Sequence, residues 1–222
     1  MSSKIQECRV IRPKDRASAV MATVEILFDN GIRLVNMHLL RPRGERRGVR
    51  LKMPSVTTTQ EKIVRAYFPT DQETRKAMFH AAEQTLAEAV EMEVNDHTKQ
   101  FEPLAEGEES RVPVFSNLRL HHFPVNENPV RAIFSVTVDN EITLNRMVIV
   151  RDPETQMFTV RIPKFSMQGG RRWTRYFRMS AAAYDELYNL AMEAYFNPPA
   201  EPESTKEAET EAPAGESVEQ AS

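Results

Sequence analysis

Cysteine is almost missing from this chain: Cys8 is the only one in 222 residues. One thiol excludes an internal disulfide and every multi-cysteine metal site, and a reducing compartment is the simplest setting. Cys8 has no evident base nearby in sequence, so a buried or bystander thiol is expected rather than a nucleophile. Long apolar runs are lacking too. No segment approaches the roughly 18 residues of a membrane span, and Met1 to Val10 has no signal-peptide core. The expected location is cytoplasmic, with no membrane contact. Tryptophan occurs once, at Trp173.

Catalytic signatures are equally scarce. There is no nucleophile elbow, phosphate loop or dinucleotide fingerprint. The five histidines are His38, His80, His97, His121 and His122. Adjacent His121 and His122 would point to opposite faces of a strand, and no motif adds the carboxylate of a metal site. Asp29 and Asp139 read as turn residues. No enzyme activity, metal or cofactor is expected.

What is present is a duplication. The stretch from Val20 to Leu34 recurs 110 positions later, from Val130 to Leu144. At that offset Arg9 meets Arg119, Met37 meets Met147 and Arg41 meets Arg151. After a slip of one residue, Pro54 meets Pro163 and Tyr67-Phe68 meets Tyr176-Phe177. A repeat this long is a duplicated domain rather than a solenoid unit, whose periods run roughly 20–50 residues.

Each copy reads as strands followed by a helix. Val20, Ala22, Val24, Ile26 and Phe28 alternate with polar neighbours, the period of a half-buried strand. Asp29-Asn30-Gly31 signals a hairpin turn. The return strand, Ile32 to Leu39, carries an irregularity where its alternation shifts. In the second copy, Val130 to Val138 lead into the turn Asp139-Asn140, and Ile142, Leu144, Val148 and Val150 lead out. A short strand is expected before each hairpin, near Arg9 and Arg119. Strands ending at Pro54 and Pro163 follow, because proline cannot extend a ladder. After a loop comes a short aromatic strand with Tyr67-Phe68 or Tyr176-Phe177. A helix closes each copy, one starting with Thr70 and Glu73 at capping-box spacing, the other capped by Ser180.

Charge is uneven. Residues 1–90 hold 16 Lys/Arg against 10 Asp/Glu, and residues 111–196 hold 11 against 8. Segments 91–110 and 197–222 each hold 1 against 7. Two mildly basic modules are thus joined and trailed by acidic segments, a pattern that attracts polyanions to the modules and lets the acidic segments compete or merely solubilise. The expected division is module 1 over 1–94, an acidic linker over 95–112, module 2 over 113–196 and an acidic, disordered tail over 197–222.

These residues resemble the SpoVG family, the stage V sporulation protein G domain of bacteria. Arg131-Ala132, Ser135-Val136-Thr137 and Asp139 are similar to that family's first hairpin. Met147 to Val150, then Phe158 to Pro163, are similar to its next two strands. Copy one keeps Met53-Pro54-Ser55 and Pro69. Copy two carries Lys164 and Arg178 where the family has that serine and proline. The resemblance implies a small antiparallel sheet with a C-terminal helix, homodimeric in the family, and regulators that bind DNA and RNA. For this chain it implies an α+β protein of two tandem modules packed as a pseudo-dimer, with a further homodimer left open.

The strongest candidate site is Gly169 to Arg178. Arg171, Arg172, Arg175 and Arg178, with Lys164, would bind phosphates through charge-assisted hydrogen bonds. Trp173 would stack on unpaired bases or else belong to the core. In copy one the candidates are Arg46, Arg47, Arg50, Lys52, Lys62 and Arg65. The displaced charge implies a composite surface rather than two identical sites. The expected function is a non-enzymatic DNA- or RNA-binding regulator. The alternative is a protein-interaction adaptor that binds no nucleic acid, supported by the acidic segments and the net charge of −3.

Overall fold

The computed structural model describes residues 3–15, 17–42, 48–57, 62–103, 110–124, 128–167 and 171–198. It is a mixed α+β fold of antiparallel sheets and two helices. In copy one, β1 (Ile5–Ile11), β2 (Val20–Phe28) and β3 (Arg33–Leu40) form a meander, and β4 (Arg50–Lys52) adds to β3. A small hairpin, β5 (Ser55–Thr57) and β6 (Ile63–Arg65), precedes β7 (Tyr67–Pro69) and α1 (Gln72–Glu91). Next is β8 (Asp96–Gln100). Copy two repeats the plan with β9 (Phe115–His122), β10 (Val130–Val138), β11 (Ile142–Arg151) and β12 (Phe158–Arg161). Its hairpin is β13 (Lys164–Met167) with β14 (Arg172–Arg175), followed by β15 (Phe177–Arg178) and α2 (Ala181–Phe196). No described helix is long and apolar enough to cross a membrane.

The alternating residues of both hairpins form the core. Val24, Ile26, Phe28, Leu34 and Met37 are buried, as are Phe134, Val136, Val138, Leu144 and Met147. The irregularity expected in copy one is a bulge, and copy two has its equivalent. The register shifts between Val24 and Ile26 and between Phe134 and Val136. The facing residues Asn36 and Arg146 have φ of 67° and 65°, the extra-residue geometry that bends a strand. The turns also fit: Gly31 has φ of 74°, and Asp139 and Asn140 have 50° and 61°. A Cβ at Gly31 would sit 3.0 Å from Ser180 Oγ, so this turn must be small as well as left-handed.

The sheets are completed by exchange. β7 of copy one pairs with β11 of copy two, and β15 of copy two pairs with β3 of copy one. Tyr67 lies opposite Leu144, and Phe177 lies opposite Leu34. The amides of Asn145 and Val35 donate to the carbonyls of Ala66 and Tyr176. These pairs share the offset of 110, so Tyr67 occupies the position of Phe177, and Ala66 that of Tyr176. The sequence alignment of Tyr67-Phe68 with Tyr176-Phe177 is therefore corrected by one residue. The one-residue slip that matches Pro54 with Pro163 is undone in the small hairpin, before the aromatic strand.

The exchange also moves a cap. Thr70 was expected to start α1, but Asp71 caps it, accepting from Thr74 N at 2.7 Å. Thr70 is engaged across the copies: its amide donates to Glu141 O and its hydroxyl to Asn140 O. Ser180 caps α2 as expected, accepting from Ala183 N at 3.2 Å.

The segment expected to be a linker holds β8, which pairs with β1. Its residues are polar, so its support is ionic. Arg9 grips Asp96 through two guanidinium nitrogens, and Glu88 of α1 binds Lys99 and His97. Arg12 Nη1 donates to the carbonyls of Ala89 and Val94, closing the end of α1.

Arg111, also from that segment, sits where the two turns meet. It binds Asp29 at 3.1 Å and Asp139 at 2.9 Å. Asp139 also accepts from Asn30 Nδ2, Ser3 Oγ and Val114 N. Burial pushes the Asp139 carboxyl up, but these hydrogen bonds together outweigh it and hold the group below the usual aspartate range.

Candidate nucleic-acid interface

The small hairpin of copy two is set by its register. Lys164 lies opposite Arg175 and Ser166 opposite Trp173, while Phe165 lies opposite Thr174. Opposed residues of an antiparallel pair share a face. Phe165 packs inward against the Tyr176 ring, with centroids 4.8 Å apart. That choice turns Lys164, Ser166, Trp173 and Arg175 outward together, and all four are exposed. The lone tryptophan is 63% exposed and is not part of the core. Arg172 falls on the other face of the hairpin, with Thr174. Arg171 lies exposed at the described start of the return arm, and Gly169 and Gly170 lie outside the described residues. Arg178 is exposed, with Nη2 3.4 Å from Thr174 Oγ1.

Copy one builds the same hairpin. Ser55 lies opposite Arg65 and Thr57 opposite Ile63. Arg65 and Ile63 correspond to Arg175 and Trp173 at the offset of 110, and Ile63 is 76% exposed. Each hairpin therefore displays a large apolar side chain and an arginine, two residues apart on one face. The bases of the hairpins touch: Tyr176 Oη donates to Ser55 O at 3.2 Å.

A second repeated position lies on the fourth strand of each meander. Lys52 faces His38, and Arg161 faces Val148. His38 and Val148 are equivalent, so Lys52 and Arg161 are too, and both are exposed. Burial, then the nearby Lys52 charge, lowers the His38 pKa and keeps the ring neutral. Arg161 is not among the sequence candidates, because it reads as the polar half of a strand alternation. Only the equivalence with Lys52 singles it out.

Beyond the hairpin, copy one opens into grooves. One of about 480 Å³ is lined by Arg50, Lys52, Ser55, Arg65 and Arg75, among others. An adjoining groove of about 550 Å³ shares Arg50 and Arg75 and adds Lys76 and Phe79. Arg50 Nε is buried and has no hydrogen-bond partner among the described residues. Asp71 is the acid in this lining, and its carboxylate is engaged by the amide and hydroxyl of Thr74. Copy two differs at the same place. Tyr184 Oη and Tyr188 Oη donate to the carbonyls of Val160 and Phe158, closing the edge of β12. Counted from the helix caps, those tyrosines stand where copy one has Arg75 and Phe79. Arg75 is not among the sequence candidates, because a helical arginine carries no local signal of what it faces.

The structure thus brings Arg50, Lys52 and Arg65 around one cavity, and Lys164, Trp173 and Arg175 onto one face. It sets Arg172 on the opposite face. Lys62 is exposed beside β6, and Arg46 and Arg47 lie outside the described residues. Cys8 is fully buried, and burial pushes its thiol up to about 12. His122 stacks on Tyr195 of α2, while His121 meets Phe123 edge-on. No group of three metal-ligand side chains converges among the described residues.

Comparison with known proteins adds no relative: no family model, no curated protein and no solved structure matches this chain.

Proposed function

We propose that this protein is a non-enzymatic, SpoVG-like regulator that binds nucleic acid, DNA or RNA, on a surface shared by its two copies. The observation that carries this reading is the doubled hairpin face. Arg65 and Arg175 supply phosphate contacts, which give most non-specific affinity. Trp173 supplies a stacking platform for an unpaired base. Ile63 supplies apolar contact without a π-face, so stacking belongs to copy two and the richer phosphate cradle, with Arg50, Lys52 and Arg75, belongs to copy one.

In this reading the two modules form a pseudo-dimer within one chain. The exchange of β7 and β15, and the Tyr176–Ser55 contact between hairpins, support it. A homodimer would present two identical faces, and the duplication has let them diverge.

The test is fluorescence anisotropy of labelled single-stranded DNA, duplex DNA and RNA at two salt concentrations. The reading expects salt-sensitive binding that favours single strands. It expects the triple replacement of Arg171, Arg172 and Arg175 by alanine to weaken binding in a folded protein. No binding at low salt would sink the reading. It would favour the adaptor alternative, in which the same exposed hairpins dock a protein.

A further inference from the structure

One groove of copy one differs from its counterpart in copy two as a unit. The groove of about 480 Å³ is lined by Arg50, Lys52, Arg65 and Arg75, with no acid in its described lining. None of these cations joins an ion pair among the described residues. Lys52 and Arg65 have basic equivalents in copy two, Arg161 and Arg175. Arg50 and Arg75 do not. Leu40 faces Arg50, whereas its equivalent Val150 faces Thr159. Counted from the helix caps, Arg75 and Lys76 of copy one correspond to Tyr184 and Asp185 of copy two. The cations that copy two lacks therefore cluster at one place, apart from the hairpin face that both copies keep.

Three observations point to the ligand. The first is charge. An internal phosphodiester brings a single negative charge to this ring of cations. A phosphomonoester brings about −1.5 to −2 at pH 7, with three strong acceptor oxygens. The second is an orphaned donor. Arg50 Nε is buried and has no hydrogen-bond partner among the described residues, on a side chain that lines the groove. A buried donor left unsatisfied is costly, and a ligand oxygen would satisfy it. The third is the adjoining groove of about 550 Å³, which shares Arg50 and Arg75. Val49, Leu51, Pro69 and Phe79 give it apolar walls. Its described acid, Asp71, is engaged by the amide and hydroxyl of Thr74. Both volumes fall in the range of small-ligand sites, roughly 300–1,000 Å³. A cationic groove opening onto an apolar one fits a phosphate joined to a nucleoside.

We infer that the two grooves of copy one hold a terminal nucleotide by its phosphomonoester, with the phosphate among Arg50, Lys52, Arg65 and Arg75 and the nucleoside against Phe79. The phosphorylated end of a strand and a free mononucleotide share this chemistry. For the strand, the inference rests on the nucleic-acid reading and adds recognition of the end to it. Copy two cannot hold the same group, because Tyr184 and Tyr188 close the edge of β12 where the groove would open.

The test uses the full-length protein. Fluorescence anisotropy compares one internally labelled single strand bearing a 5′-phosphate, a 3′-phosphate or hydroxyls at both ends. The inference expects a terminal phosphate to tighten binding by about tenfold, the worth of one hydrogen bond to a charged group. Arg50→Ala should abolish that preference. Arg75→Ala should abolish it too, and its exposed position on α1 keeps the result independent of folding around Arg50. Trp173→Ala should weaken all three strands alike and preserve the preference. Equal affinity of the three strands for the unaltered protein would overturn the inference and leave the nucleic-acid reading standing. A preference that survives in both folded arginine variants would also overturn it, by placing end recognition elsewhere. Binding of no strand would sink the nucleic-acid reading, and calorimetry with the common nucleoside 5′-monophosphates against their nucleosides then decides the grooves. Saturable binding of a monophosphate alone, lost in Arg75→Ala, upholds the inference for a free mononucleotide, and no binding overturns it.

Discussion

Copy one and copy two share a backbone plan but spend their surfaces differently. In copy two, Tyr184 and Tyr188 lay hydroxyls on the carbonyls of β12 and seal its edge. In copy one the same helix positions hold Arg75 and Phe79, and a cation-lined groove remains. The hairpin tips diverge the other way: copy two carries Trp173 where copy one carries Ile63. A symmetric dimer cannot separate these tasks, because each change appears twice. In the proposed function, one chain keeps a stacking platform on one repeat and a phosphate cradle on the other.

The largest expected effect breaks what the copies share. Replacing Arg111 with alanine leaves Asp139, whose side chain is 3% exposed, without its cation. Stability should fall by about 3 kcal/mol, as when one partner of a buried pair is removed. Thermal denaturation would show it as one cooperative loss, since the site joins both turns. Independent unfolding of two halves would contradict the joint.

The next effect separates the hairpins. Trp173→Ala should weaken single-strand binding by roughly 1–3 kcal/mol, the usual worth of a stacked base. Ile63→Ala should cost well under that, because an aliphatic side chain has no ring to stack. Equal losses measured by anisotropy would mean that both tips act only as apolar surface.

The third sharpens the helix comparison. Tyr184→Phe should lower stability by about 1 kcal/mol, the net value of one hydrogen bond, and leave binding unchanged. Arg75→Ala, at an exposed position, should leave stability unchanged and weaken binding severalfold, with a shallower salt dependence. The two variants therefore fail in opposite assays.

The smallest concerns pH. Asp139 and Asp96 have folded pKa values below the ordinary 3.8, Asp96 chiefly through its hydrogen bond to Arg9. A depressed carboxyl adds stability that is complete above the unfolded value and is lost as pH falls through the folded one. The protein should hold its melting temperature down to about pH 5 and lose it below 4. Asp139→Asn should start lower and fall less across that window.

Much of the fold was legible because its signals are local. Period-two alternation and the Asn-Gly and Asp-Asn turns mark the hairpins, and the shift in alternation marks the irregularity in copy one. The duplication then let each copy check the other. The exchange of β7 and β15 was not legible, because Tyr-Phe occurs in both copies and identity aligned it one residue away from its spatial match. β8 escaped because Asp96 to Gln100 has no apolar alternation, and ion pairs to Arg9 and Glu88 hold it. Thr70 was read as a cap because its spacing to Glu73 is right, but its hydrogen bonds go to the other copy. Of the proposed site, Arg175, Trp173, Arg50, Lys52 and Arg65 are candidates from charge and aromatic clustering alone. Arg161 and Arg75 are not sequence candidates, because only a partner strand and a groove set them beside the others.

The central claim is that the two copies form one binding surface. It is tested most directly by watching Trp173, the single tryptophan, in a fluorescence titration with a short single strand, using a variant altered only in copy one. With Arg50 and Arg65 replaced by alanine, a shared surface predicts that the Trp173-reported affinity falls by about tenfold, roughly 1.4 kcal/mol. An unchanged affinity in that folded variant would show that copy two binds alone and would contradict the account.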